Sequence, residues 1–68
     1  MKEYEMTSDF YHVVETSHGI DVYENGQFVC EIGGMCLDAF TYDGKVSEDK
    51  LGKAIREEIE VEDFLKEN

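Results

Sequence analysis

The dipeptide Asn25-Gly26, set between Glu24 and Gln27, constrains this chain more than any other feature of it. Asn-Gly takes up the positive φ angles of a type I′ turn, whose twist suits two strands joined by a two-residue loop. With that pair as the loop, Tyr23 faces Phe28, Val22 faces Val29 and Asp21 faces Cys30. Tyr23, Phe28, Cys30 and Ile32 then share one side of a sheet, while Glu24, Gln27 and Glu31 share the other with Val22 and Val29. Upstream, Tyr4, Met6, Phe10, His12 and Val14 alternate with Glu3, Glu5, Asp9 and Glu15, blurred by Tyr11 and Val13. This period of two predicts a strand with one wet, acidic face. A turn at Ser17-His18 puts Phe10, His12 and Val14 on the Tyr23 side, so both registers converge on a three-stranded antiparallel meander.

Gly33-Gly34 and Asp43-Gly44 punctuate the chain beyond that meander. Residues Met35 to Tyr42 are apolar enough for a fourth short strand or a packed loop, and the sequence does not separate the two. Ser47 is a helix N-cap, with Glu48 and Asp49 where carboxylates favour the positive end of the dipole. Leu51, Ala54, Ile55 and Ile59 make a stripe of helical period, able to cover the sheet. Extending the same helix would run Glu58 and Glu62 along its middle and turn Phe64 away from the core. A break near Glu60-Val61 is therefore expected, with a short last turn carrying Phe64 and Leu65. Gly52 weakens the helix by up to ~1 kcal/mol relative to Ala. The fold class is α+β: a small antiparallel three- to four-stranded meander packed against one C-terminal α-helix. The 68 residues form one domain, mainly β over 1–45 and helical over 47–67. At this size only about 60% of the unfolded chain's surface is buried, so the core is thin.

The distribution of charge says more than its total of -11. Between Lys2 and Lys45 there are nine carboxylates and no cation. Residues 1–45 sum to -7 and the remainder to -4. The C-terminal part mixes signs in the ordinary helical way, with Asp49 and Lys53, and Glu62 and Lys66, spaced i,i+4. The N-terminal part has no such compensation, and folding it concentrates like charge at a cost in stability. Direct nucleic-acid binding is disfavoured, because phosphate counterions are displaced by Lys and Arg. Docking on an anionic membrane is disfavoured for the same reason. The absence of a long apolar run and of a signal at Met1-Lys2-Glu3-Tyr4-Glu5 leads to the expectation of a cytoplasmic protein.

Motifs for catalysis are missing: there is no Ser-His-Asp spacing, phosphate-binding glycine loop or H-E-x-x-H, and Asp43 to Asp49 lacks the ligand alternation of a calcium loop. The acid pairs Glu48-Asp49, Glu57-Glu58 and Glu62-Asp63 sit on a solvated helix, where no environment shifts a carboxyl toward acid–base work. No enzyme and no cofactor are expected. Cys30 and Cys36, spaced C-x5-C, match no zinc-knuckle or redox motif, and zinc would need them to converge with His12 and His18. Two reduced thiols are expected, with Cys30 buried as a small hydrophobe, His12 at the core edge and His18 in a turn.

The remaining signal is the cation-free stretch. Glu3, Glu5, Asp9, Glu15, Glu24 and Glu31 are expected to act as phosphate-like charges, with Tyr11 as an anchor. Glu57, Glu58, Glu62 and Asp63 make a second patch. In size, charge and β-then-α order the chain resembles the small acidic proteins with which phages and mobile elements imitate DNA, blocking restriction enzymes, CRISPR effectors or uracil glycosylases. That resemblance is compositional and carries no motif. It implies a non-enzymatic inhibitor occupying the basic groove of a nucleic-acid-binding protein. The competing reading is an accessory or assembly module using Val61, Phe64 and Leu65 to enter a partner's groove or to form a homodimer, its acidity serving solubility alone.

Overall fold

The structure, a computed structural model, describes residues 2–67. Four strands form an antiparallel meander in the order β1-β2-β3-β4: β1 Glu3–Glu5, β2 Tyr11–Glu15, β3 Gly19–Glu24 and β4 Gln27–Gly33. A 3-10 helix over Leu37–Phe40 leads into a two-stranded hairpin, β5 Thr41–Tyr42 and β6 Lys45–Val46. A single helix, α1 Glu48–Glu67, closes the chain.

Asn25 and Gly26 have φ of 52° and 80°, both positive as a type I′ turn requires. Tyr23 pairs with Phe28 as expected, but one step later the register slips and Val22 pairs with Cys30, leaving Val29 as an extra residue in β4. The slip has a physical reason. In the unslipped register Ile20 would lie opposite Glu31 and Asp21 opposite Cys30, so each face would mix apolar and charged side chains. One inserted residue reverses the alternation downstream of it. Val22 and Cys30, and then Ile20 and Ile32, are brought together on the buried face, while half-buried Asp21 and exposed Glu31 go to the outer face.

The expected facing is corrected accordingly. Cys30 and Ile32 do not share a face with Tyr23 and Phe28; they lie with Val22 on the opposite, core-facing side. The long acidic-faced strand is two strands, separated by the connection 6–10. That connection inverts the alternation, so β1 points Tyr4 inward while β2 points Tyr11 and Val13 inward. His12 and Val14 consequently face out beside Tyr23 and Asp21, and Phe10 is 84% exposed in the connection.

The segment 33–46 forms a pattern that neither expectation contained. Asp43 and Gly44 repeat the positive φ pair, at 52° and 78°, and so make a second tight hairpin. The 3-10 helix buries Leu37 and Phe40 against the sheet's inner face. Ser47 caps α1 as expected, its Oγ accepting from the Lys50 N–H at 3.4 Å. Leu51 and Ile55 are fully buried on the core with Val13, Ile20, Val22 and Cys30.

The break expected near Glu60-Val61 is absent, and α1 runs on for 20 residues, about 30 Å. It accepts the consequence that a break would have avoided. Glu58 and Glu62 lie half-buried along the face toward Cys30, and Val61, Phe64 and Leu65 are exposed. Intrahelical hydrogen bonds carry the helix on through these turns, although their apolar side chains are exposed.

Gly52 is buried where the connection 6–10 crosses α1; a Cβ there would stand 3.3 Å from Asp9 Oδ2 and 3.6 Å from Met6 Cε. Its cost in helix propensity is thus offset by close packing of that connection. Gly19 is more demanding, since it has φ of +154° and an added Cβ would meet the Ile32 carbonyl oxygen at 2.3 Å. Gly19→Ala is predicted to lower unfolding free energy by at least ~2 kcal/mol in urea titration. Gly33→Ala, where nothing lies within 4 Å of the added carbon, is the control and should cost far less.

Candidate binding face of the sheet

Helix α1, the 3-10 helix and the second hairpin all lie on the inner side of the sheet, so the outer face is left uncovered. Pairing aligns its side chains in two rows across the four strands. One row runs Glu3, Val14, Asp21, Glu31; the other runs Glu5, His12, Tyr23, Phe28. Neighbouring strands are about 4.8 Å apart, so each row spans about 14 Å. The first row is acidic around one valine. The second is aromatic, with Tyr23 and Phe28 edge to face at 5.8 Å between ring centroids and an interplanar angle of 77°. Between the rows lies a shallow open depression lined by Glu3, Glu5, His12, Val14, Asp21 and Tyr23.

No Lys or Arg belongs to these strands, and the cations that do find partners sit on the other side. Lys2 Nζ reaches Asp38 on the 3-10 helix at 2.7 Å, Arg56 lies 3.8 Å from Asp9, and Lys50 sits 4.5 Å from the Tyr42 ring centroid. Among the described residues the only ion-pair contact on the outer face is His12 Nε2 to Glu3 Oε1, at 3.6 Å. Asp21 and Glu31 stand directly opposite one another, a like-charge cross-strand pair of the destabilising kind.

The eleven residues singled out from sequence divide by location. Glu3, Glu5 and Glu31 are on the outer face. Asp9 turns to Arg56 and Gly52 on the helix side. Glu15 is half-buried, its Oε1 accepting from the Leu37 N–H at 2.7 Å, so it serves the start of the 3-10 helix. Glu24 is exposed beside the turn, opposite Tyr11 and not in either outer row. Tyr11 packs half-buried against the core, and burial, then Glu24 and Asp9, push its hydroxyl pKa up. Glu57, Glu58, Glu62 and Asp63 are on α1, remote from the outer face, and Glu62 Oε2 is buried with no hydrogen-bond partner among the described residues. Burial, then Glu62 and Glu58, push the Cys30 thiol up to about 11. Asp21, Tyr23, Phe28 and His12 were missed as members of the face. The signal in the sequence is the mixing of apolar and charged side chains that an unslipped hairpin imposes, with Asp21 opposite Cys30.

The four side chains of the metal alternative do not converge: His12 points out, Cys30 points into the core, and Cys36 is exposed on the connection to the 3-10 helix. Among the described residues no three His, Cys, Asp or Glu side chains are grouped as a metal site would need. No helix among them is long and apolar enough to cross a membrane.

A carboxylate absent from the sequence-based set ties the sheet to the helix. Glu48 Oε2 accepts from the Tyr4 hydroxyl at 2.5 Å and the Thr7 hydroxyl at 2.9 Å. Its Oε1 accepts from the Thr7 N–H at 2.9 Å, and from the Ser8 N–H and hydroxyl, both at 2.8 Å. The Tyr4 bond first, then the two from Ser8, hold the Glu48 carboxyl at about 2. The first turn of α1 thereby clips β1 and the connection 6–10, and fixes the edge strand that carries Glu3 and Glu5. No protein-family model, curated protein or solved structure matches the chain.

Because this carboxyl ionises more readily folded than unfolded, its contribution to stability is full above its ordinary value near 4.5 and is lost as pH falls toward about 2. Glu48→Gln should therefore melt below the wild type at pH 7, with the gap closing between pH 5 and 2. A gap independent of pH would contradict the role.

Proposed function

We propose that this protein is a non-enzymatic acidic inhibitor that occupies the basic nucleic-acid channel of a DNA- or RNA-binding protein, working in the cytoplasm of the cell in which that target acts. The observation that carries the reading is the outer face itself. Glu3, Asp21 and Glu31 stand in one row of the sheet, Glu5 ends the neighbouring row of His12, Tyr23 and Phe28, and no Lys or Arg of these strands offsets them. Fixed anionic groups offer a phosphate-binding groove what a duplex offers it, without bases to read. Attraction between opposite potentials speeds encounter and sets orientation. Desolvation of Tyr23 and Phe28 against the target supplies the short-range part, as buried aromatic anchors do elsewhere. Restriction enzymes, CRISPR effectors and DNA repair enzymes are the class of target that this chemistry fits.

The charge is expensive in the free protein, since Asp21 faces Glu31 across the strands, and solubility alone does not require that they be paired in this way. Binding to a basic groove converts the repulsion into attraction.

The test is capture of the target from a nuclease-treated lysate of the native host on immobilised protein, with identification by mass spectrometry. The wild type should retain a nucleic-acid-binding protein, release it as salt rises from about 0.05 to about 0.5 M, and release it to competing duplex DNA. The isosteric variant Glu3→Gln, Glu5→Gln, Asp21→Asn, Glu31→Gln should retain little of it. Undiminished capture by that variant, or capture insensitive to salt, would contradict the reading.

A further inference from the structure

We infer that the apolar groove beside the distal half of α1 is a second docking surface, which takes a basic amphipathic helix of a partner protein. The groove lies on the helix side and shares no residue with the outer sheet face, so it stands or falls independently of the inhibitor reading.

The groove is formed where α1 runs past Ile32 at the end of β4 and Phe40 of the 3-10 helix. Its floor and walls are Ile32, Met35, Phe40, Ala54 and Val61, with Glu57 and Glu58 on the rim. The surface continues along α1 past Glu60 to Phe64. Met35, Val61 and Phe64 are 38%, 52% and 65% exposed. From Ala54 to Phe64 the groove follows α1 for about 15 Å, roughly three turns, with Glu57 and Glu58 between Ala54 and Val61. A surface of that length fits an apolar stripe with i, i+3, i+4, i+7 spacing on a partner helix.

Charge selects among occupants. The groove residues include the three carboxylates Glu57, Glu58 and Glu60 and no Lys or Arg. Across residues 57–66 there are five acidic residues and one basic, Lys66. A second copy of this chain would set those carboxylates against themselves, in a molecule already at -11. An apolar helix flanked by Lys or Arg complements both the groove and its rim.

The test uses the full chain and a fluorescent model peptide of Leu and Lys only, about five turns long, with leucines on one helical face. A second peptide has the same composition in an order that destroys the face. Binding is read by anisotropy, and contact sites by amide shifts in 15N-labelled protein. The amphipathic peptide should bind, shifting Met35, Ala54, Val61 and their neighbours. The scrambled peptide, and the variant Met35→Ser, Val61→Ser, should each weaken binding about tenfold or more; both substitutions are at exposed sites, and a melting curve checks that the fold is kept. Equal binding of the two peptides would reduce the effect to bulk charge and overturn the inference. So would shifts confined to the outer sheet face, an absence of binding, or a wild-type dimer in sedimentation that Val61→Ser dissolves.

Discussion

A sheet with one buried face must keep its alternation in phase across every strand pair, and this sheet does so through a single extra residue. Val29 is unpaired in β4, and beyond it every side chain changes face. Were Val29 paired with Val22 instead, the buried layer would hold Glu31 opposite Ile20 and the exposed layer would hold Cys30 and Ile32. With Val29 unpaired, Val22, Cys30, Ile20 and Ile32 meet Leu51 and Ile55 of α1 in one continuous core. The same shift places Asp21 and Glu31 side by side on the outer face. The core and the acidic row are therefore two results of one register.

The two layers also divide the electrostatics. Cations near the inner layer have local partners: Lys2 with Asp38, Arg56 with Asp9, Lys50 with Tyr42. Glu48 collects donors from Tyr4, Thr7 and Ser8, and Glu15 takes the Leu37 N–H, so these two carboxylates serve the fold. Glu5, Asp21 and Glu31 have no ion-pair partner among the described residues. Exposed ion pairs contribute little to stability, so this division matters less to the fold than to the field. It leaves the outer face acidic with no Lys or Arg on its strands and the opposite side mixed, apart from the acid-rimmed groove at the end of α1.

Much of the fold was legible in residue order. Asn25-Gly26 specified its hairpin because few dipeptides tolerate two positive φ angles, and Ser47 with Leu51 and Ile55 specified the start and buried stripe of α1. The second hairpin was present in Asp43-Gly44, but flanking strands of two residues are too short to show a period. The bulge was not legible, since a register slip leaves no mark on composition and shows only as a conflict between the facing of Asp21 and that of Cys30. His12 and Val14 do lie on the Tyr23 side, as expected, but the parity change across 6–10 separates that side from the one that buries Tyr4. The run of α1 past Glu60 is not legible from its buried stripe, because intrahelical hydrogen bonds continue the helix even where Val61, Phe64 and Leu65 are exposed. Of the candidate site, Glu3, Glu5 and Glu31 were found from charge; Asp9, Glu15 and Tyr11 were not separable from them, because only the packing shows which carboxylates the fold itself uses.

An outer acidic row kept for a partner must be a cost to the isolated molecule. A double-mutant cycle on Asp21→Asn and Glu31→Gln, measured as unfolding free energy in urea at low and high salt, addresses that directly. Each single substitution should raise stability at low salt by a few tenths to ~1 kcal/mol. The double variant should gain less than the sum, and the coupling should fade as salt screens it. Stability lowered by either substitution, or a coupling that is attractive or absent, would mean that these carboxylates hold the sheet together, and the row could not then be read as a charge kept for a partner.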